Sequence, residues 1–205
     1  MKEEPIPQNP DPLFAPLRLN LPDANIILRS SDRVNFRVHR SLLALSSPFF
    51  EDLLSLPQPP DAELVDGLPV VPLPEDSDLL NSLISLLYPI RSPIVPSSYE
   101  KVFALLAASQ KYDMVSIQSN IRDLVKRGIF PAPVQAEAFS AYAIASRMGL
   151  SPEIEYAGSL TLGQPLTFDS LGEGLRSFTG QALCDLIRYR AANKVKSSGW
   201  FPSWS

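Results

Sequence analysis

The sequence predicts an α+β protein: a small three-stranded sheet flanked by helices, followed by an all-α extension. Three observations predict it. Val34, Phe36 and Val38 alternate with Asn35 and Arg37, the period of two that a half-buried strand requires. At His39-Arg40 the pattern changes abruptly to helical spacing, with Leu42, Leu43 and Leu45 close together on a helix. Beyond residue 73 every apolar stripe has helical spacing, and no further strand pattern is evident.

The elements follow in order. Residues 1–22 carry Pro5, Pro7, Pro10, Pro12, Pro16 and Pro22, which predicts a mostly extended or disordered arm, although the alternation of Leu17, Leu19 and Leu21 also suits a place along a sheet edge. Asp23 to Arg29 reads as a first strand, the segment around Val34 to Val38 as its hairpin partner. Ser46-Ser47-Pro48 restarts the chain in a second helix, since Pro is favoured at a first helical position. Pro57 through Gly67 is acidic and Pro-rich, the composition of a surface loop. Leu68 to Leu73 reads as a short third strand, and its bracketing prolines, which lack an N–H donor, predict either an edge position or strand ends.

Three helices come next. Asp76-Ser77-Asp78 supplies capping oxygens ahead of Leu79, Leu80, Leu83, Ile84, Leu86 and Leu87, and Pro89 stops that helix near Tyr88. Ser97-x-x-Glu100 has the spacing of a capping box ahead of Val102, Phe103, Leu105 and Leu106. Met114, Ile117, Ile121, Leu124 and Val125 form the third stripe, with Gly128 as its stop. In the extension, Val134, Ala138, Ala141, Ala145 and Met148 predict a helix whose small residues allow close packing, ended by Gly149. Ser151-Pro152-Glu153 starts another. Gly172 and Gly174 predict a bend. A last helix runs from about Thr179 to Lys194, with Leu183, Leu186 and Ile187 inward and Arg188, Arg190 and Lys194 toward its negative end.

Composition narrows the function. A chain of 205 residues with 45% apolar and 20% charged residues has the makeup of a globular protein with a sizeable core. A net charge of −4 argues against nucleic acid as a partner, which calls for a basic stripe. One Cys forms no internal disulfide, no run reaches the ~18 apolar residues of a membrane span, and no secretory h-region opens the chain. The expected location is intracellular, in cytoplasm, nucleus or both.

The order strand, strand, Val38-His39-Arg40, Leu42-Leu43, Ser47-Pro48-Phe49-Phe50 resembles the BTB/POZ domain. Ile26 to Leu28, Phe36, Val70-Val71, Leu83 to Tyr88 and Ala107 to Asp113 extend the resemblance over residues 23–128. Asp23-Ala24-Asn25 with Leu28 to Asp32, and Gly67 to Val71, look similar to the BTB-domain proteins of fungi. The implied organisation is an arm (1–22), a BTB/POZ-like domain (23–128), a helical extension (129–196) and an aromatic tail (197–205). The resemblance implies a non-catalytic protein–protein interaction module that self-associates as a homodimer or recruits a partner. That partner would be a cullin if the chain is a ubiquitin-ligase substrate adaptor. The alternative is a homo-oligomeric scaffold in transcriptional regulation without ligase contact. The partner-binding expectation falls on Asn25, His39, Leu56, Asp61 and Glu63. The family usually carries Asp where Asn25 stands, and its cullin-recruiting members often carry a hydrophobic-x-Glu motif in the loop before the third strand, where this chain has Asp61-Ala62-Glu63.

No catalytic, cofactor-binding or metal-binding residue is expected, nor a membrane or small-molecule partner. His39 is the only His and Cys184 the only Cys, too few for a zinc site. His39 is expected to satisfy backbone groups at its corner, and Cys184 to lie buried on the final helix as a small hydrophobe. No Gly-x-Ser-x-Gly elbow accompanies His39. Asp76-x-Asp78 lacks the turn Gly of a calcium loop, and Gly172-x-Gly174 lacks the third Gly and preceding strand of a dinucleotide site. An unrecognised enzyme would need a carboxylate or Ser within about 2.6–3.2 Å of His39. Arg188-Tyr189-Arg190 is too short for a nucleic-acid patch. The tail Gly199-Trp200-Phe201-Pro202-Ser203-Trp204 holds both tryptophans, residues favoured at interfaces.

Overall fold

Strands β1 (Ile26–Arg29) and β2 (Asn35–Val38) form the expected antiparallel hairpin, with Leu28 opposite Phe36. They belong to a computed structural model that describes residues 23–57, 63–88, 94–167, 171 and 177–197. The Pro-rich arm, Asp61, the Gly172–Gly174 bend and the residues from 198 onward lie outside the described residues. The chain divides into two compact units: residues up to 94 with 108–117, and residues 95–107 with 118 onward. Helices α4 (Tyr99–Lys111) and α5 (Val115–Lys126) contribute residues to both.

In the first unit the sheet has four strands, in the order β2-β1-β4-β3, where the sequence predicts three. The extra strand β3 (Leu64–Val65) lies in the expected loop and pairs with β4 (Leu68–Pro72). Asp66 and Gly67 join them with φ of 51° and 75°, the two left-handed residues of a tight hairpin turn. Of the two expected placements the prolines take the strand ends and not the sheet edge: β4 sits between β1 and β3, parallel to β1 with Ile27 opposite Val70 and Leu28 opposite Val71, and Pro69 and Pro72 fall near its two ends. Proline is tolerated there because of where each one falls. Val70 N–H turns toward β3 and bonds Glu63 O at 3.1 Å, while Leu73 N–H turns toward β1 and bonds Arg29 O at 2.7 Å. By alternation Pro69 would donate toward β1 before that ladder begins, and Pro72 toward β3 after that strand has ended. Neither missing donor leaves a gap.

One sheet face buries Ile26, Leu28, Phe36 and Val38. Helices α1 (Arg40–Ser46), α2 (Pro48–Ser55) and α3 (Ser77–Leu87) follow the predicted starts. Ser47 Oγ caps α2 by accepting from Phe50 N–H at 3.1 Å, and Asp76 caps α3 by accepting from Leu79 N–H at 2.8 Å. Leu43, Phe50, Leu54, Leu80, Leu83 and Ile84 are buried. Two assignments change. Asn35, predicted on the polar face, is fully buried and accepts from Arg29 Nε at 2.8 Å. Leu45, predicted with the apolar helix face, is 86% exposed. The α4–α5 corner closes the unit: Tyr112 packs against Phe49 and Phe50, and its carbonyl accepts from Ser47 Oγ at 2.5 Å.

In the second unit α4 starts one residue later than its capping-box spacing predicts. Its first bond, Val102 N–H to Ser98 O, makes Ser98 and not Ser97 the N-cap. Gly128 follows α5 in the left-handed region (φ 69°), as a C-terminal stop requires. α6 (Ala138–Met148) ends at left-handed Gly149 and packs on α7 (Ser151–Thr161). Ala138, Ala141, Ala145, Ala157 and Gly158 are buried, so small residues bring these helices close, whereas Val134 is exposed.

The last helix, α8 (Gly180–Ser197), buries Leu186 and half-buries Leu183 as predicted, but its inward stripe does not include Ile187. Ala182, Leu186 and Arg190 are buried at four-residue steps, leaving Ile187 and Cys184 exposed. The buried-cysteine expectation is therefore wrong: Cys184 lies two residues from Ala182, about 200° around the helix. Arg190 is only 6% exposed. Its guanidinium donates to Thr161 O and, at 2.6 Å, to Gln164 O, and it stacks on Phe139. A cation thus caps the carbonyls at the negative end of α7 rather than serving its own helix, and burial holds its pKa below the usual arginine value.

Candidate interaction surface

The predicted site residues fall at three places in the first unit. Asn25 precedes β1, and its side-chain Oδ1 accepts from Arg40 N–H at 2.8 Å. That bond replaces a cap that α1 lacks locally, since the N-cap His39 makes no side-chain capping bond. Asn25 therefore ties the first strand to the first helix.

His39 stands at the corner, but its ring bonds side chains rather than the backbone groups expected. Nε2 lies 3.2 Å from Asp23 Oδ2, and Nδ1 lies 3.0 Å from the Tyr88 hydroxyl. The same hydroxyl accepts from His39 N–H at 2.9 Å. A neutral ring protonated on Nε2 satisfies the whole set: it donates to Asp23 and accepts the Tyr88 O–H, whose oxygen takes the backbone donor. The bond to His39 holds the Asp23 carboxyl below the usual carboxylate range, and burial pushes the Tyr88 phenol up. A carboxylate does stand at the reach an acid–base pair would need. Both ring nitrogens are nevertheless occupied within the corner, and the raised Tyr88 phenol is no nucleophile at neutral pH. The cluster pins α3, the β2–α1 corner and the start of β1 together.

Leu56 terminates α2 and is 60% exposed. Glu63 is tied into the sheet, both carboxylate oxygens lying 2.7 Å from Arg29 Nη1. Arg37 pairs with Asp66 across the same four-stranded sheet. The structure thus brings Asn25 and His39 to one corner and ties the exposed Glu63 side chain to Arg29.

Sequence reasoning missed two residues. Leu45 on α1 and Phe49 on α2, the latter 41% exposed, project large apolar groups outward on either side of the Ser46-Ser47 break. The signal was a surplus: α1 has seven residues and three leucines, yet buries only Leu43. The second unit holds a separate feature, a groove of about 400 Å³ among α4, α5, residues 131–133 and the N-terminal half of α7. Among the described residues, no group of three or more His, Cys, Asp or Glu side chains is placed to hold a metal ion. Among the same residues, no helix is long and apolar enough to cross a membrane.

Polar side chains thus close the corners of the first unit, and Leu45, Phe49 and Leu56 are left outside. The chain belongs to the BTB/POZ domain family, whose family model matches residues 14–128. Domains of this family are protein–protein interaction modules and generally non-catalytic. Among solved structures, the BTB domain of zebrafish PATZ1 is similar at 18% identity, covering 51% of this chain and 76% of that one with a TM-score of 0.38. No curated protein matches the sequence.

Proposed function

We propose that the chain is a protein-interaction module that self-associates through the face formed by α1, α2 and the adjoining Asn25–His39 corner. One observation carries this reading: Leu45, Phe49 and Leu56 are 86%, 41% and 60% exposed within one short helical stretch. Burying a leucine or phenylalanine side chain is worth roughly 1.5–3 kcal/mol, so such a face gains by being covered. The corner behind it is rigid, because Asn25, Asp23 and Tyr88 fix the start of α1 from three directions.

Multi-angle light scattering tests the reading on the full chain. A mass of twice 22.6 kDa is expected, returning to one copy in Leu45→Glu with unchanged circular dichroism. A strict monomer at tens of micromolar refutes it. Recruitment of a cullin, and a scaffold role in gene regulation, are finer readings whose support is family membership alone. Glu63 bonded to Arg29 gives the cullin reading no added support. A pull-down that recovers no cullin, while a control adaptor does, removes it.

A further inference from the structure

The groove in the second unit is lined by side chains that hold their positions. Val102 and Phe103 belong to the buried core, and Pro131 and Pro133 fix the backbone of one wall. Its volume of about 400 Å³ lies in the range of small-molecule sites, which are mostly apolar and largely pre-formed. No sequence motif marks it, because the lining comes from four separate stretches of chain. Its charge is uneven. Among the described residues the lining carries two cations, Arg122 and Lys126, and one anion, Glu153. Glu153 is buried and accepts twice from Arg122, Oε1 from Nε at 2.9 Å and Oε2 from Nη2 at 3.2 Å, a bidentate pair that is already closed. Lys126 follows Arg122 by four residues and so lies one turn further along the same face of α5. It stands 3.7 Å from Asp123 on its own helix with both side chains largely exposed, and such a pair is worth little. An incoming anion therefore displaces a weak partner, whereas an incoming cation meets surplus positive charge.

We infer that this groove binds a small organic monocarboxylate with an aromatic or branched aliphatic body, its carboxylate on Lys126 and its body against the apolar lining. The exposed Tyr156 ring and the prolines offer flat apolar surface to such a body. The ammonium of Lys126, being exposed, keeps part of its hydration when the carboxylate arrives, so the ion pair forms without the full cost of burying a charge. A docked chain segment fits less well. It brings a row of backbone N–H and C=O groups that need partners, and Pro131, Pro133 and Pro152 in the lining have no N–H to give. A small acid carries a single polar end and places it beside the weakly paired cation.

Titrating the full-length, nitrogen-15-labelled chain with 2-naphthoate tests it by amide chemical shifts. Saturable shifts are expected in residues 102–106, 122–126, 131–133 and 152–156. At the efficiency of drug-sized ligands, its roughly 13 non-hydrogen atoms give a dissociation constant of about 1 mM or tighter. The neutral 2-naphthamide, of the same shape, should bind about two- to fivefold more weakly, the worth of an exposed ion pair. Lys126→Met, at an exposed position, should bring the acid down to the affinity of the amide with circular dichroism unchanged. Ala132→Glu, which puts bulk and negative charge into the lining, should abolish the shifts. If Ala132→Glu fails to fold, Lys126→Met serves alone. No saturable shift at several millimolar overturns the inference, as do shifts confined to the first unit. Equal binding of acid and amide, or an acid preference that survives Lys126→Met, overturns it by removing the anchor. An uncharged peptide, acetyl-Gly-Leu-Pro-Leu-Gly-amide, that shifts the same amides at lower concentration than the acid overturns it in favour of a protein segment. Shifts of these amides on raising the protein concentration alone overturn it by giving the groove to a second copy.

Discussion

Replacing Asn25 separates holding the fold from meeting a partner. Arg40 N–H is one of the four first-turn donors that a helix cannot satisfy itself. His39 supplies no side-chain cap and the first turn of α1 holds no acidic residue, so the acceptor comes from Asn25, fifteen positions earlier. Asn25→Ala removes it, and loss of an N-cap costs about 0.5–2 kcal/mol. Residue 25 is exposed, so water takes over part of the bond and the lower half of that range applies. With a urea slope of about 2 kcal/mol per molar, the unfolding midpoint falls by roughly 0.5 M. Asn25→Asp keeps the oxygen and adds a negative charge at the positive end of α1, worth about 0.3–1 kcal/mol. Asp23, two residues away, opposes part of that gain. The expected order is therefore Asp at or slightly above Asn, and both above Ala. An unchanged midpoint in Asn25→Ala, or an Asp variant as weak as the Ala variant, refutes the capping argument. A solution mass that falls in Asn25→Ala while the midpoint holds would assign the residue to the interface instead.

Two further outcomes follow from the first unit. Tyr112→Phe should destabilise it by about 1.5–3 kcal/mol in urea unfolding, the range for a hydrogen bond to a charged group. The Tyr112 hydroxyl donates to Glu75, whose side chain is 9% exposed and which also pairs with Lys111 Nζ at 2.7 Å. Burial and the neighbouring Glu75 carboxylate raise the Tyr112 phenol far above its usual value, so it stays a donor throughout the accessible range. Asp32 should give acid sensitivity. Bonds from Ser30 and Ser77, the latter through its N–H at 2.9 Å and hydroxyl at 2.6 Å, hold its pKa below 3.8. A depressed folded pKa stabilises fully above the unfolded value and is lost as pH falls through the folded one. The stability difference between the native chain and Asp32→Asn should be flat above pH 3.8 and shrink below it, as measured by urea unfolding across pH.

The local features were legible because their causes are local. The β1–β2 alternation, the Ser47-Pro48 restart, the Asp76 cap, Gly128, Gly149 and Ser151-Pro152 each act within one turn of helix or one strand pair. Family membership was legible for the same reason, since Val38-His39-Arg40 and the Leu83–Tyr88 segment are contiguous signals. Strand β3 was not, because two residues carry no period; only pairing with β4 makes Leu64–Val65 a strand. The location of β4 inside the sheet was hidden too, since proline excludes a donor but does not say which neighbour would have needed it.

The site divides along the same line. Asn25, His39 and Leu56 could be picked out as corner and loop residues, but their roles depend on partners distant in the chain. His39 meets Tyr88 forty-nine positions away, and Glu63 meets Arg29 thirty-four positions away. Which face of a short helix points outward is also a tertiary matter. Leu43 and Leu45 are equally apolar, and only the packing of α1 against α2 and α3 buries one and exposes the other. By itself the sequence determined where most helices begin and end, the first hairpin, and which family they compose, because caps, breakers and periods act over a few residues. The structure alone decided which side chains cap, pin or project, because those outcomes require contacts that close only when distant segments meet.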